Sequence, residues 1–148
     1  MKILLISANL AKSPHPVYPL GMSIIANALE SSGHHVIQFD FLQHDTSLPD
    51  VAAAVQQHKP DLVGISLRNI DSCNALNERK YVDGVRQIIE VVRRESSAPV
   101  VLGGSGFSIM PETVLDTVGA DYGIVGEGER AIVDFVEKAS RGEFPKER

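Results

Sequence analysis

The sequence predicts an α/β fold in which a parallel sheet carries helices on both faces. Five apolar runs of strand length alternate with segments whose apolar residues recur at helical spacing. Most of the runs are nearly continuous in Val, Ile and Leu, which is typical of parallel strands buried on both faces. Five such strands joined by right-handed helical crossovers favour a three-layer, flavodoxin-like (Rossmann-like) sheet of order 2-1-3-4-5.

One of the five predicted strands differs from the others. The run His35–Asp40 alternates apolar and polar residues, which suits a strand at the edge of the sheet. The predicted strands cover Lys2–Ser7, His35–Asp40, Leu62–Ser66, 99–104 and 122–126.

The predicted helices begin and end at residues with clear backbone preferences. Pro60 stops the second helix, Pro111 opens the fourth, and Gly119 ends the fourth. The five predicted helices cover about residues 20–33, 48–60, 81–96, 110–119 and 128–142.

Composition excludes several classes of protein. The 148 residues suit one domain, and a net charge of −5 argues against a nucleic-acid-binding surface. No apolar run approaches the ~20 residues that span a bilayer, and no leader peptide is recognisable. The one cysteine, Cys73, fits a cytoplasmic protein and excludes an all-cysteine cluster built by this chain alone. We therefore expect a cytoplasmic protein with no nucleic-acid or membrane partner.

Two long loops flank the point where the predicted strand order reverses. Ligands of open α/β sheets bind at this point, beyond the carboxyl ends of the strands. The loops are "ANLAKSPHPVYPLG" after the first strand and "LRNIDSCNALNERK" after the third, both longer than the roughly 2–6 residues usual for such connections. Their length favours a large ligand over ordinary loop variation.

Candidate ligand-binding residues follow four of the strands, and each has a structural alternative. The polar residues after the third strand can form an Asx turn with a salt bridge, Glu127 can complement a helix dipole, and the glycines can form a tight turn. His15 is a candidate metal ligand or an ordinary loop residue, and we assign no catalytic or metal-binding residue. The candidates are Asn9, Tyr18, Arg68, Asn69, Asp71, Gly103, Gly104, Ser105, Gly106, Phe107, Gly126 and Glu127.

Four motifs in order resemble one family. "YPLGMSIIANALESSGHHVIQFD", "PDLVGISLRNIDS", "VVLGGSGFSIMPE" and "ADYGIVGEGE" resemble the cobalamin (B12)-binding domain at the N-terminus of B12-dependent radical SAM proteins, over residues 1–141. The resemblance implies that Ser66, Gly103 and Gly104 line the slot for the nucleotide tail of cobalamin. On this basis we expect a methyl group at Gly104 to intrude on the cofactor and to leave the empty fold nearly intact.

The sequence departs from the wider family at two places. It lacks the D-x-H-x-x-G motif whose histidine ligates cobalt, and Arg68 stands where Leu is usual. The first departure implies a base-off cofactor without histidine ligation.

The radical SAM cluster motif CxxxCxxC is also absent. The chain is therefore either a domain of a larger enzyme, which we favour, or a stand-alone binding module. The resemblance implies that it positions cobalamin for a radical SAM reaction, methyl transfer, within a parent enzyme that also holds a [4Fe-4S] cluster and S-adenosylmethionine. Residues 142–148 are interpreted as a linker toward a radical SAM domain in cis.

Two other functions are compatible with the fold. A flavodoxin-like FMN-binding electron carrier is the main alternative, although the proline-rich first loop has little of the Ser, Thr and Gly character of a phosphate cradle. A receiver-type signalling domain needs acidic residues after the first strand, and that strand ends in "SAN".

Overall fold

The computed structural model describes residues 1–11, 15–71 and 81–145, and strands alternate with helices throughout. The strands are β1 (Lys2–Ser7), β2 (His35–Asp40), β3 (Leu62–Ser66), β4 (Val100–Gly103) and β5 (Tyr122–Gly123). The helices are α1 (Leu20–Ser31), α2 (Leu48–His58), α3 (Tyr81–Glu95), α4 (Pro111–Val118) and α5 (Glu129–Ser140), with a 3₁₀ helix at Phe107–Ile109. Within these ranges, no helix is long and apolar enough to cross a membrane.

The strands form one parallel sheet of order β2-β1-β3-β4-β5, which confirms the predicted order. The order reverses at β1, because β2 lies on one side of it and β3 on the other. At the carboxyl end of the sheet, Ser7 is in register with Ser66, and Ser66 is in register with Gly103. This row of small residues lies next to the reversal point.

Apolar side chains are buried on both faces of the sheet. Leu4 and Ile6 pack with residues of α2, α3 and α4, whereas Ile3 and Leu5 pack with residues of α1 and α5. This two-sided burial explains why β1 is a continuous apolar run. β2 lies at the edge, and only Phe39 of that strand is buried, as its alternating pattern predicts.

The last two strands are shorter than predicted. β4 covers Val100–Gly103, and β5 has only two residues in the ladder. The chain leaves β5 because Gly126 has a φ of +79° and donates its N–H to Ser108 Oγ at 2.9 Å, away from β4.

The segment after α5 contacts the rest of the domain. The ring of Phe144 stacks on Tyr122 with centroids 5.9 Å apart and meets the edge of Phe135 at 6.3 Å. These contacts lie near the start of β5 and the end of α5, which is the amino edge of the sheet. Residues 146–148 of the interpreted linker lie outside the described residues, and so does Cys73.

Candidate functional site

A cavity of about 710 Å³ opens at the carboxyl end of β1, β3 and β4. It lies on the sheet face that α1 and α5 cover, between the first turns of these two helices. The helices that follow parallel strands run back along the sheet, so their N-terminal ends meet the carboxyl ends of the strands. The cavity therefore occupies the crevice that the strand order predicts.

The inner part of the cavity is apolar. Leu5, Gly64 and Val101 lie side by side on neighbouring strands. Each precedes by two residues its strand's member of the row formed by Ser7, Ser66 and Gly103, so the two rows lie on the same face of the sheet. A Cβ at Gly64 would lie 2.7 Å from Leu5 Cδ2, so Gly64 lets Leu5 lie flat across β3. We call the following six cavity-lining residues the deep layer: Leu5, Gly64, Val101, Met22, Ile25 and Ile132.

The outer row of the sheet carries two hydroxyl groups and a bare backbone. Ser7 is 4% exposed although it lies at the end of β1, and Ser66 is half-buried beside it. A Cβ at Gly103 would meet only the carbonyl oxygen of Ile124, at an ordinary 3.6 Å. The row thus offers hydroxyl groups beside a surface without side-chain bulk, and the fold itself leaves room for a methyl group at Gly103.

Asn9 has an unpaired donor at the cavity. The residue is 6% exposed and lines the cavity just beyond β1. Its Oδ1 accepts a hydrogen bond from the N–H of Ala11 at 3.0 Å, which fixes the orientation of the amide. Its Nδ2 is buried and has no hydrogen-bond partner within the described part of the chain. A buried polar group of this kind is costly unless a ligand or water satisfies it.

The loop after β4 is held against the exit of β3. Gly104 has a φ of +102°, and a Cβ there would lie 2.6 Å from the carbonyl oxygen of Leu67. The N–H of Gly106 donates to this oxygen at 2.9 Å, and Ser105 Oγ donates to the carbonyl oxygen of Arg68 at 3.0 Å. The expectation that the empty fold tolerates a methyl group at Gly104 is therefore wrong, because the chain itself occupies that space.

Four of the candidate residues lie outside the cavity lining. Phe107 is 1% exposed and packs in the core, with its ring against Gly123. Gly106 is buried, and a Cβ there would lie 2.9 Å from the carbonyl oxygen of Arg68. Asn69 and Asp71 are partly buried in the segment that leaves β3. Contact between these four residues and a ligand stays a prediction.

Nine of the candidates line the cavity together. At the rim, Tyr18 is 65% exposed, and its hydroxyl forms a 2.6 Å hydrogen bond with Ser23 Oγ. Arg68 is also exposed there. The nine are Asn9, Tyr18, Ser66, Arg68, Gly103, Gly104, Ser105, Gly126 and Glu127.

Several lining residues have no counterpart among the sequence candidates. Ser7 is a polar residue at the end of a buried run, in phase with Leu5, and this signal was available in the sequence. Ser108 connects two loops, because it donates to the carbonyl oxygen of Gly104 at 3.0 Å and accepts from the N–H of Gly126. Met22, Ile25 and Ile132 lie within the predicted helices, and helical periodicity does not distinguish a core position from a cavity wall.

The helices beside the cavity begin without side-chain caps. α1 begins after Pro19 and α5 after Gly128, and neither residue caps its helix through a side chain. On the opposite face, Ser47 caps α2 by accepting a hydrogen bond from the N–H of Asp50. The N-terminal ends of α1 and α5 thus lie at the mouth of the cavity without a side-chain cap, and the helix dipole favours electron-rich ligand groups there.

His15 takes no part in the cavity. It is exposed and is not among the lining residues. Within residues 1–11, 15–71 and 81–145, no three His, Cys, Asp or Glu side chains come together as a metal site.

The chain matches known proteins over most of its length. Residues 6–136 match the B12 binding domain family. The chain is 40% identical over 131 residues to tryptophan 2-C-methyltransferase of Streptomyces laurentii, which covers 86% of this chain and 21% of that protein. The chain therefore spans about a fifth of the length of this curated relative.

Two solved structures share the architecture. TsrM of Kitasatospora setae, a radical S-adenosylmethionine methyltransferase solved with cobalamin and a [4Fe-4S] cluster bound, superposes with a TM-score of 0.88 at 32% identity over 96% of this chain and 25% of that one. OxsB with aqua-cobalamin bound superposes with a TM-score of 0.71 at 19% identity over 98% of this chain and 19% of that one, which shows a shared fold. The fold, the cavity at the reversal point and the family match agree, and the chain belongs to the B12-binding domain family.

Proposed function

We propose that the cavity receives the nucleotide tail of cobalamin, and that the corrin ring lies across its mouth. The volume of about 710 Å³ falls within the roughly 300–1,000 Å³ of small-molecule sites. It suits the tail and is too small for a whole corrinoid. The observation that carries the proposal is Asn9 Nδ2, which is buried at the cavity without a partner in the described residues.

The residues present suit such a ligand. Asn9 would donate a hydrogen bond from Nδ2, and the hydroxyl groups of Ser7 and Ser66 would bind polar atoms of the tail near the mouth. Gly103 would leave the backbone of β4 bare where the tail passes. The uncapped first turn of α1, which carries no acidic side chain, favours a phosphate close to the mouth.

An apolar rim surrounds the same edge of the sheet. Large apolar side chains are seldom left exposed in a cluster unless another group covers them. Here the corrin ring and a following domain would cover them. The exposed members are Val17, Tyr18, Leu20, Ile109, Met110 and Val125.

We infer that this chain acts within a B12-dependent radical SAM enzyme that transfers a methyl group. The support is its 40% identity to a methyltransferase and its likeness to TsrM, of which it spans 21% and 25%. Cobalamin, when bound, supplies a cobalt ion that carries methyl groups, and this chain's residues bind and orient it. The [4Fe-4S] cluster and S-adenosylmethionine would belong to a radical SAM domain in cis.

Three narrower assignments remain predictions. We propose that residues 1–141 form the cobalamin-binding domain and that residues 142–148 lead toward the radical SAM domain. We also propose a cytoplasmic location and no nucleic-acid partner, since the chain has one cysteine and a net charge of −5.

Removing the unpaired amide tests the proposal. We expect Asn9→Ala to weaken hydroxocobalamin binding by about tenfold, because the ligand loses one buried hydrogen bond. Equilibrium dialysis with detection of the corrinoid absorption bands measures the affinity. Asn27→Ala, on the exposed side of α1, is the matched control and should bind like the wild type. Failure of the wild-type chain to retain any cobalamin, or retention of FMN instead, would contradict the proposed function.

A further inference from the structure

The deep layer contains no polar side chain. All six members are aliphatic residues, glycine or methionine. The polar side chains that line the cavity come from strand ends, from loops, from the 3₁₀ helix or from the first residue of α5. These polar residues are Ser7, Asn9, Tyr18, Ser66, Arg68, Ser105, Ser108, Glu127 and Glu129. A ligand that enters the cavity therefore passes the apolar rim and these polar groups, and it meets hydrocarbon side chains further in.

The backbone groups of four deep-layer residues are also hydrogen-bonded within the fold. Leu5, Gly64 and Val101 lie in the middle of the parallel ladders, where their peptide groups pair with neighbouring strands. In α5, the N–H of Ile132 donates to the carbonyl oxygen of Gly128 at 2.8 Å. A polar ligand atom that lies against these four residues would thus find no backbone partner among the described residues, and its burial there would be unfavourable.

We propose that this chain selects corrinoids by their lower base and prefers 5,6-dimethylbenzimidazole to adenine. The inference rests on the proposed function, in which the nucleotide tail enters this cavity and its base reaches the deep layer. The edge of dimethylbenzimidazole carries two methyl groups, which suit hydrocarbon walls. Adenine carries an amino group and additional ring nitrogens, which would lose their hydrogen bonds to water and gain none.

Affinities for three corrinoids test the selectivity. The 148-residue chain is dialysed against hydroxocobalamin, against adeninylcobamide and against cobinamide, which has no nucleotide. We expect hydroxocobalamin to bind at least about tenfold more tightly than adeninylcobamide, the effect of one or more unpaired buried polar groups. Adeninylcobamide that binds within about twofold of cobalamin would overturn the inference. Loss of all cobalamin binding would instead refute the proposed function.

A substitution in the deep layer tests whether the preference for the lower base arises there. Ile25 is partly buried in α1 at the contact with Gly128, so Ile25→Gln places an amide at the deep layer with little strain. We expect this variant to reduce the preference for cobalamin by about threefold or more, because the amide can pair with adenine. Ile24→Gln is the matched control, since Ile24 is 43% exposed and does not line the cavity.

A second variant keeps the test decisive. Circular dichroism establishes that each variant is folded, and Met22→Gln replaces Ile25→Gln if the latter does not fold. A preference that survives an amide in the deep layer unchanged would show that the base is not read there, and it would overturn the inference.

Discussion

The adjacent residues Gly103 and Gly104 differ in how the fold constrains them. Gly104 combines a φ of +102° with a hypothetical Cβ 2.6 Å from the carbonyl oxygen of Leu67, so the chain itself requires glycine there. Gly103 has neither constraint and lines the cavity. The fold therefore does not require glycine at Gly103, and we propose that a ligand does.

Alanine at each position separates these reasons. Gly104→Ala should destabilise the empty chain by about 1 kcal/mol or more, because alanine tolerates positive φ poorly and collides with β3. Gly103→Ala should change stability by less than about 0.5 kcal/mol but weaken cobalamin binding by about tenfold, since its methyl group would occupy cavity space that we assign to the nucleotide tail. Urea unfolding and equilibrium dialysis measure the two effects. Gly103→Ala that binds cobalamin like the wild type would show that the tail lies elsewhere.

His15 provides a test of the cobalt environment. It is exposed outside the cavity lining, and the D-x-H-x-x-G motif is absent. We therefore expect His15→Ala to leave the spectrum of the bound cofactor unchanged, with His35→Ala as a control at the opposite edge of the sheet. Nitrogen superhyperfine splitting in the Co(II) EPR spectrum of the wild type, lost in His15→Ala, would contradict base-off binding without histidine.

Among single residues, the sequence identified the cavity rim better than its interior. Asn9, Ser66 and Gly103 lie at or just beyond the carboxyl ends of buried strands. Parallel strands bring these ends together, so their proximity was predictable. Phe107 stood next to the same glycines, but its ring turns into the core. The direction of a side chain after a tight turn depends on tertiary packing, and sequence spacing does not report it.

At the scale of elements, the residues at the helix ends determine the helix boundaries. The strand boundaries depend instead on the partner strand. Pro111 and Gly119 bound α4 as predicted, because proline suits a first turn and glycine adopts the left-handed conformation at φ +71°. β5 ends three residues before its predicted end. The apolar residues Ile124 and Val125 continue the sequence pattern, whereas the ladder depends on where β4 is available as a partner.

The segment after α5 is anchored by an aromatic contact. We expect Phe144→Ala to destabilise the chain by about 1 kcal/mol, because Phe144 stacks on Tyr122 and meets Phe135. Cobalamin affinity should not change, because these contacts lie at the amino edge of the sheet, opposite the cavity. Urea unfolding provides the measurement, and Val125→Ala, at an exposed site near the mouth, is the control. Unchanged stability of Phe144→Ala would show that the segment is a free linker.

At the scale of the whole molecule, binding of cobalamin should stabilise the fold. A ligand present at a hundred times its Kd contributes about 2.7 kcal/mol by mass action. For a domain of this size, this corresponds to an increase in Tm of about 5–10 °C. Thermal unfolding followed by circular dichroism measures the increase. FMN at the same concentration is the control, and an equal increase with FMN would favour the flavodoxin-like alternative.

The sequence by itself determined the sheet order, the position of the crevice and the family. Continuous apolar runs require burial on both faces, and the chain order of strands and helices then leaves few topologies. The tertiary structure alone decided how the crevice is built. Register brings Ser7, Ser66 and Gly103 into one row and Leu5, Gly64 and Val101 into the next. Residues far apart in sequence become neighbours only when the strands pair, so the outer row with its two hydroxyl groups and the apolar deep layer are properties of the packed sheet.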